Sequence, residues 1–161
     1  MKLLVREMKE KDIPLISKIY SECFPIDCTS KKDYLTWIKC NYQAKPRFVY
    51  YIAELNKELI GYILWIELGG FRKEAVIELE QIGVSEKMRG KGIGTILIKK
   101  SLDLFVKDYI RPRKIELIKL TTSNRNQAQN LYRKVLGAEP ECVMKGIFGG
   151  DELIMFTRKY K

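Results

Sequence analysis

The sequence predicts a mixed α/β fold in a single domain that spans residues 1–161. Apolar residues alternate in some segments, as in strands, and recur at every third or fourth position in others, as in helices. A chain of 161 residues is long enough to bury one proper core. No internal repeat, low-complexity run or linker divides it, so we expect one folding unit.

The N-terminal region predicts one strand followed by two helices. Apolar and charged residues alternate over Lys2–Met8, which indicates a strand. Isoleucines recur at helical spacing in Lys11–Cys23, and a proline suits the first turn of that helix. Ser30–Asn41 predicts a second helix, in which Tyr34, Leu35, Trp37 and Ile38 are apolar.

Three strands are predicted next. β-branched and aromatic residues dominate Arg47–Leu55 and Leu59–Leu68, and the short turn Asn56–Glu58 between them indicates a hairpin. A glycine-containing loop, Gly69–Lys73, leads into Ala75–Val84. Apolar and acidic residues alternate in this last segment, as expected for a strand with one buried face.

The C-terminal half predicts two more helices and three more strands. Thr95–Val106 has helical periodicity, Lys114–Leu120 alternates as a strand, and Gln127–Gly137 reads as a helix closed by its glycine. The chain is expected to finish in a hairpin, with strands around Glu141–Ile147 and Glu152–Arg158 that are joined by a turn at Gly149–Asp151.

Composition narrows the classes of function. The net charge is +10, but basic and acidic residues are interspersed, which favours steering of an anionic ligand and makes nucleic acid an unlikely partner. No apolar run approaches the length of a membrane span, and charge returns too early for a signal peptide. Histidine is absent and the four cysteines form no C-x-x-C pair, so we expect free thiols, a cytoplasmic protein and no metal.

The most informative stretch is residues 82–94, Ile-Gly-Val-Ser-Glu-Lys-Met-Arg-Gly-Lys-Gly-Ile-Gly. A predicted strand precedes it and a predicted helix follows it. Backbone N–H groups at a helix start lack intrahelical partners, and glycines with positive φ let consecutive N–H groups converge on an anion. Lys87, Arg89 and Lys91 add full positive charges. The stretch therefore predicts a binding site for a pyrophosphate-bearing ligand.

The pattern of glycines distinguishes between such ligands. The G-x-x-x-x-G-K-[ST] pattern of nucleoside-triphosphate loops is absent, and G-x-G-x-G differs from the G-x-G-x-x-G of dinucleotide folds. Residues 89–94, after the strand that ends at Val84, resemble the acyl-CoA loop of the GNAT superfamily of N-acetyltransferases. The strand Lys114–Leu120, the turn with its asparagines and the helix with Tyr132 also resemble that family, so the resemblance covers roughly residues 75–140.

The resemblance implies a mixed, mostly antiparallel sheet of about seven strands with about four helices. It also implies a V-shaped splay between the two central strands, Ala75–Val84 and Lys114–Leu120, where acetyl-CoA binds. Gly83 is expected at the bulge that causes this splay. The implied acetyl-CoA contacts are Ile82, Gly83, Val84, Arg89, Gly90, Lys91, Gly92, Ile93, Gly94, Thr95 and either Asn124 or Asn126.

The same resemblance implies direct attack by a primary amine in a ternary complex. Glu80 is the first candidate for the base and Glu78 the second, and both are expected on the face of Ile82 because they lie an even number of residues before it. The N–H of Val84 is the candidate oxyanion donor. Tyr132 is the candidate acid for the leaving thiolate.

The sequence does not identify the acceptor, which is open between a small molecule, a peptide and a protein. Its pocket is expected from the Phe24–Ser30 loop, the second helix and the Gly69–Arg72 loop, with Phe24, Tyr34, Trp37 and Phe71 as possible lining. A homodimer is possible. Two alternatives stay open, namely a CoA-binding regulatory module without turnover and a basic nucleic-acid-binding protein.

Overall fold

The computed structural model describes residues 3–24, 30–158 and 160. In this part of the chain seven strands and four helices follow one another in the predicted order. The strands are β1 Leu3–Glu7, β2 Phe48–Leu55, β3 Glu58–Glu67, β4 Ala75–Val84, β5 Ile115–Ser123, β6 Glu139–Ile147 and β7 Gly150–Thr157, and the helices are α1 Ile13–Cys23, α2 Lys31–Gln43, α3 Ile93–Phe105 and α4 Gln129–Leu136.

All seven strands form one sheet in the order β1-β2-β3-β4-β5-β7-β6. Only the β4–β5 pair is parallel among the described strands, and the other five pairs are antiparallel. A parallel pair needs a crossover, and α3 supplies it between β4 and β5. The prediction of a mixed, mostly antiparallel sheet with four helices is confirmed.

Each face of the sheet has its own apolar core. On one face, α3 and α4 bury residues such as Leu97 and Leu136 against Trp65 and Ile77 of the sheet. On the other face, α1 and α2 bury a separate set against β2 and β3, including Ile16, Ile38, Tyr50, Tyr62 and Leu64. Cross-strand partners share a face, so the register assigns each residue of β4 to one of these two cores.

Local chemistry accounts for the differences between predicted and observed boundaries. α3 begins at Ile93 because Gly92, with φ +77°, serves as its N-cap. α4 begins at Gln129 because Asn126 first folds the chain into a turn, in which its side chain accepts the N–H of Ala128. β6 contains Pro140, and a proline is tolerated there because β6 is the edge strand of the sheet.

None of the helices in the described ranges is long and apolar enough to cross a membrane. Cys23, Cys40 and Cys142 are free thiols, and Cys28 lies outside the described residues.

Gly83→Ala is expected to destabilise the fold. A Cβ at this position would lie 2.7 Å from Cε1 of Tyr62 and 3.2 Å from Sγ of Cys23, and overpacking of this kind costs about 1–3 kcal/mol. Urea unfolding measures the loss. Gly150→Ala is the matched control, since a Cβ there meets no heavy atom within 4 Å. Equal midpoints for the two variants would contradict this packing.

Candidate active site

β4 and β5 part in the middle of the sheet. Their parallel ladder begins at Ala75 and ends where Leu79 pairs with Leu120. Beyond that point β4 continues to Val84 beside β3, while β5 continues to Ser123 beside β7. A gap therefore opens between the two strands, and its position agrees with the expected V-shaped splay.

A β-bulge in β4 starts at the same level as the gap. Trp65 and Leu64 of β3 pair with Leu79 and Gln81, so Glu80 is the extra residue on β4. A bulge bends its strand and increases the local twist, which turns β4 away from β5. The expectation that Gly83 forms the bulge is wrong, because Gly83 pairs in regular register with Tyr62.

The register also decides which backbone groups face the gap. The N–H of Ser85 donates to the carbonyl oxygen of Ile60 at 2.9 Å, and alternate residues of an antiparallel strand point to the same side. Gly83 therefore bonds to β3, whereas the N–H groups of Ile82 and Val84 point toward the gap. Of the three implied acetyl-CoA contacts on β4, Ile82 and Val84 thus direct their N–H groups toward the gap and Gly83 does not.

The glycine loop after β4 has the conformation that the sequence predicts. Gly90 and Gly92 have φ of +73° and +77°, which side chains rarely allow. The first intrahelical bond of α3 runs from the N–H of Ile96 to the oxygen of Gly92, so the N–H groups of the preceding turn, residues 93–95, are free of intrahelical partners. This turn can hold an anion through backbone N–H groups.

Gly94 lets α4 approach the start of α3. A Cβ at Gly94 would lie 3.1 Å from Cδ2 of Leu131. Leu131 precedes Tyr132 in α4, so this contact places the tyrosine's helix beside the glycine loop. The sequence motif and the tyrosine thus meet on the α3/α4 face of the sheet.

Arg89 is directed toward α1 rather than into the loop. Its Nε donates to the carbonyl oxygen of Val84 at 3.1 Å, and its Nη2 lies 3.4 Å from the oxygen of Glu22 and 3.5 Å from Sγ of Cys23. Sequence reasoning did not connect Cys23 with this region. No pattern in the sequence could have done so, because 66 positions separate Cys23 from Arg89.

The two candidate carboxylates have different surroundings. Glu78 is buried and forms an ion pair with Lys119 at 2.8 Å. It pairs in register with Ile66, on the α1/α2 face, whereas Ile82 pairs with Ile63, on the α3/α4 face. The expectation that Glu78 and Ile82 share a face is wrong, because the bulge inserts one residue between them and inverts the alternation.

Glu80 is exposed to solvent, but its surroundings shift the pKa of its carboxylate. Burial among protein atoms raises its pKa above the usual glutamate value, the negative charge of Glu78 raises it further, and Lys119 lowers it in part. The charge of Glu80 also acts on the hydroxyl of Tyr50, which belongs to the α1/α2 core. Glu80 is thus a carboxylate poised near the gap on that side of the sheet.

Tyr132 is almost completely buried, at 6% exposure. Its hydroxyl makes no hydrogen bond to any residue within the described ranges. Burial raises the pKa of Tyr132 to about 12, so the hydroxyl keeps its proton throughout the physiological range. It is available as a donor to a group that enters between α4 and the gap.

The two asparagines differ in their roles. Asn126 is occupied by the fold, because its Oδ1 accepts the N–H of Ala128 at 2.9 Å and its Nδ2 donates to Oγ1 of Thr122 at 3.0 Å. Asn124 bonds through its backbone to Asp151 and Gln129. No hydrogen bond in the described part of the chain involves the Asn124 side chain, so it is the freer of the two candidates.

The predicted acceptor pocket lies partly outside the described residues. Residues 25–29 of the Phe24–Ser30 loop lie outside the described residues. The ring of Tyr20 packs against two other aromatic rings. Its centroid lies 5.0 Å from that of Phe24 and 4.8 Å from that of Tyr34. Phe71 is fully exposed in the loop before Ala75, at the end of β4 opposite the gap, so the structure does not bring the Gly69–Arg72 loop to the gap.

Among the residues that the structure describes, no three Cys, Asp or Glu side chains lie close enough together to hold a metal ion. The groups around the gap are backbone N–H donors, one perturbed carboxylate, one ion-paired carboxylate and one protonated tyrosine. This set can bind an anionic, amide-bearing ligand and move a proton.

The sequence model of the acetyltransferase (GNAT) family matches residues 13–138. These residues include α1, the gap, the glycine loop and α4. An uncharacterised N-acetyltransferase of Methanocaldococcus jannaschii is 28% identical over 120 residues, which are 72% of this chain and 50% of that protein. The match thus spans half the length of this relative.

Solved structures share the fold over nearly the whole chain. A chimera of the Vibrio cholerae spermidine N-acetyltransferase gives a TM-score of 0.76 at 21% identity. The match covers 98% of this chain and 96% of the chimera's chain. The ribosomal-protein-alanine N-acetyltransferase of Brucella melitensis gives a TM-score of 0.72 at 22% identity. The match covers 97% of this chain and 99% of that protein's chain. At such identities the likeness establishes the fold.

The pKa of Glu80 is expected to lie above the usual value of 4.5 for glutamate. Glu78→Gln should lower it by removing a neighbouring negative charge, and Lys119→Met should raise it by removing a positive one. Carboxyl-carbon NMR titration of the wild-type protein and the two variants measures the Glu80 pKa in each. The expected order is lowest in Glu78→Gln and highest in Lys119→Met. A Glu80 pKa at or below 4.5 in the wild-type protein would contradict the described surroundings.

Proposed function

The chain belongs to the acetyltransferase (GNAT) family, and on this premise we propose that it transfers an acetyl group from acetyl-CoA to a primary amine in a ternary complex. The observation that carries the proposal is the gap between β4 and β5. It presents the N–H groups of Ile82 and Val84 directly before a glycine loop that opens a helix.

The residues around the gap fit acetyl-CoA. Its pyrophosphate needs convergent N–H donors and positive charge, which the turn of residues 93–95 and the neighbouring Lys87 and Lys91 supply. Its pantetheine arm carries amides, which can pair with the edge of β4 as another strand does. Gly90 and Gly92 have open space where a Cβ would stand, so a phosphate can approach the backbone closely.

Starting from the neutral amine, transfer joins the amine nitrogen to the acetyl carbon and breaks the carbon–sulfur bond, while one proton leaves the nitrogen and one reaches the sulfur. An alkyl amine with a pKa near that of lysine, about 10.4, is mostly protonated at neutral pH and needs a base. Glu80 suits this role because burial and the negative charge of Glu78 raise its pKa, which makes the carboxylate a stronger base. The buried Glu78 is held by Lys119 and is the second candidate.

Two groups would stabilise the charges that develop. The N–H of Val84 points into the gap and can donate to the carbonyl oxygen as it gains negative charge. Tyr132 keeps its proton and can donate it toward the departing sulfur. Both groups are held by secondary structure, which limits their movement.

Gly92→Glu is expected to abolish acetyl-CoA binding, because it puts a carboxylate and bulk where the pyrophosphate would lie. Calorimetric titration measures the affinity, with ATP and NAD as ligand controls. Gly149→Glu is the matched variant, since Gly149 has a similar φ of +75° and equally open space but lies in the β6–β7 turn. Binding retained by Gly92→Glu would refute the loop assignment.

Acetyl-CoA binding by the wild-type protein should be accompanied by thiol release in the presence of a suitable primary amine. Binding without release across a broad amine panel would indicate a CoA-binding module instead of an enzyme.

Tyr132→Phe is expected to lower turnover by about a hundredfold, the scale of general acid catalysis, with little change in acetyl-CoA affinity. Steady-state thiol release and calorimetry give the two quantities. Tyr109→Phe serves as control because that hydroxyl bonds to Glu7 at 2.6 Å, away from the gap. Wild-type turnover in the Tyr132 variant would reject its role as the acid.

A further inference from the structure

The two substrates of the proposed reaction must approach the gap from opposite faces of the sheet. The glycine loop begins α3, and α3 and Tyr132 belong to the α3/α4 core, so the donor enters from that face. The α1/α2 face is left for the amine. This step, and the inference built on it, rest on the proposed function.

Tyr62 projects from β3 onto the α1/α2 face and leans against β4. It pairs in register with Gly83, and a Cβ at Gly83 would lie only 2.7 Å from its Cε1. Because Gly83 has no side chain, the ring can lean over β4. The ring thus lies against the strand that borders the gap, at the residue that precedes Val84.

The hydroxyl of Tyr62 is buried and finds no hydrogen-bond partner among the described residues. An unsatisfied buried polar group costs about 1–3 kcal/mol, so it calls for an explanation. The neighbouring Tyr50, whose ring centroid is 6.2 Å away, receives a hydrogen bond from Nδ2 of Asn41. Tyr62 has no comparable partner, although Cys23 and Tyr20 also lie close by.

We propose that the Tyr62 hydroxyl binds the reacting nitrogen of the amine acceptor. Its oxygen accepts one N–H of the amine, which leaves the nitrogen lone pair free to face the gap. Glu80, whose charge reaches Tyr50 on the same side of β4, takes the proton that the nitrogen loses. Tyr62 thereby becomes a catalytic residue for the acceptor, as Val84 and Tyr132 are for the donor.

Tyr51 shows that an unpartnered hydroxyl alone does not indicate a ligand. Its hydroxyl is also buried without a partner in the described part of the chain. However, Tyr51 belongs to the α3/α4 core and lies near Glu7 and Asp108, away from the gap. The position of Tyr62 over Gly83 is what distinguishes it, and Tyr51 provides a matched control.

Tyr62→Phe and Tyr51→Phe test the inference together. Thermal unfolding, acetyl-CoA affinity by calorimetry and thiol release are measured for both variants, with spermidine, a lysine-containing peptide and an alanine-initiated peptide as acceptors. We expect both variants to unfold at or above the wild-type temperature, since each loses an unsatisfied hydroxyl. Only Tyr62→Phe should lose about tenfold in kcat/KM for the amine, the scale of one hydrogen bond, with unchanged acetyl-CoA affinity.

The outcomes separate this inference from the proposed function. If wild-type protein releases no thiol with these three acceptors or across the broad amine panel, the proposed function and the inference are both overturned. If wild-type protein turns over and Tyr62→Phe keeps its kcat/KM, the inference alone is overturned. It is also overturned if Tyr62→Phe unfolds at a clearly lower temperature than Tyr51→Phe, because the hydroxyl would then have a structural partner.

Discussion

The end of the β4–β5 ladder at Leu79 and Leu120 is the constraint on which the rest of the structure depends. A continuous ladder would satisfy every backbone group of β4 and leave no place for a ligand in the sheet. One extra residue, Glu80, bends β4 at that level. The N–H groups of Ile82 and Val84 are exposed by this bend, and the glycine loop follows from the end of the same strand.

The ion pair between Glu78 and Lys119 lies directly below the gap. The two residues are register partners on β4 and β5, so their 2.8 Å contact holds the strands together just before they part. The same lysine moderates the pKa of Glu80. Structure and chemistry are therefore coupled, because the groups that set the charge of the proposed base also stabilise the point where the gap begins.

Arg89 connects the glycine loop with the opposite face of the sheet. Its guanidinium bonds to the oxygen of Val84 and approaches Glu22 and Cys23 at the end of α1. A ligand that draws this side chain into the loop must break its contacts with α1. Arg89 can therefore contact either the glycine loop, which we assign to the donor, or α1 on the α1/α2 face, which we assign to the acceptor, but not both at once.

Hydrophobic periodicity and glycine placement determined most of the fold from sequence alone. The order of the eleven elements and the left-handed glycines at 90 and 92, which precede the start of α3, follow from local patterns. These features depend on residues close together in the chain, so a single sequence contains the information.

Only the tertiary structure decided how the site is assembled. The bulge falls at Glu80 rather than Gly83, which places Glu78 on the face opposite Ile82, and Phe71 lies at the end of β4 opposite the gap. The contact of Arg89 with Cys23 and the fit of Tyr62 over Gly83 join segments that are distant in sequence. Strand register and cross-strand packing set these relations, and a shift of one residue reverses a face without altering any local pattern.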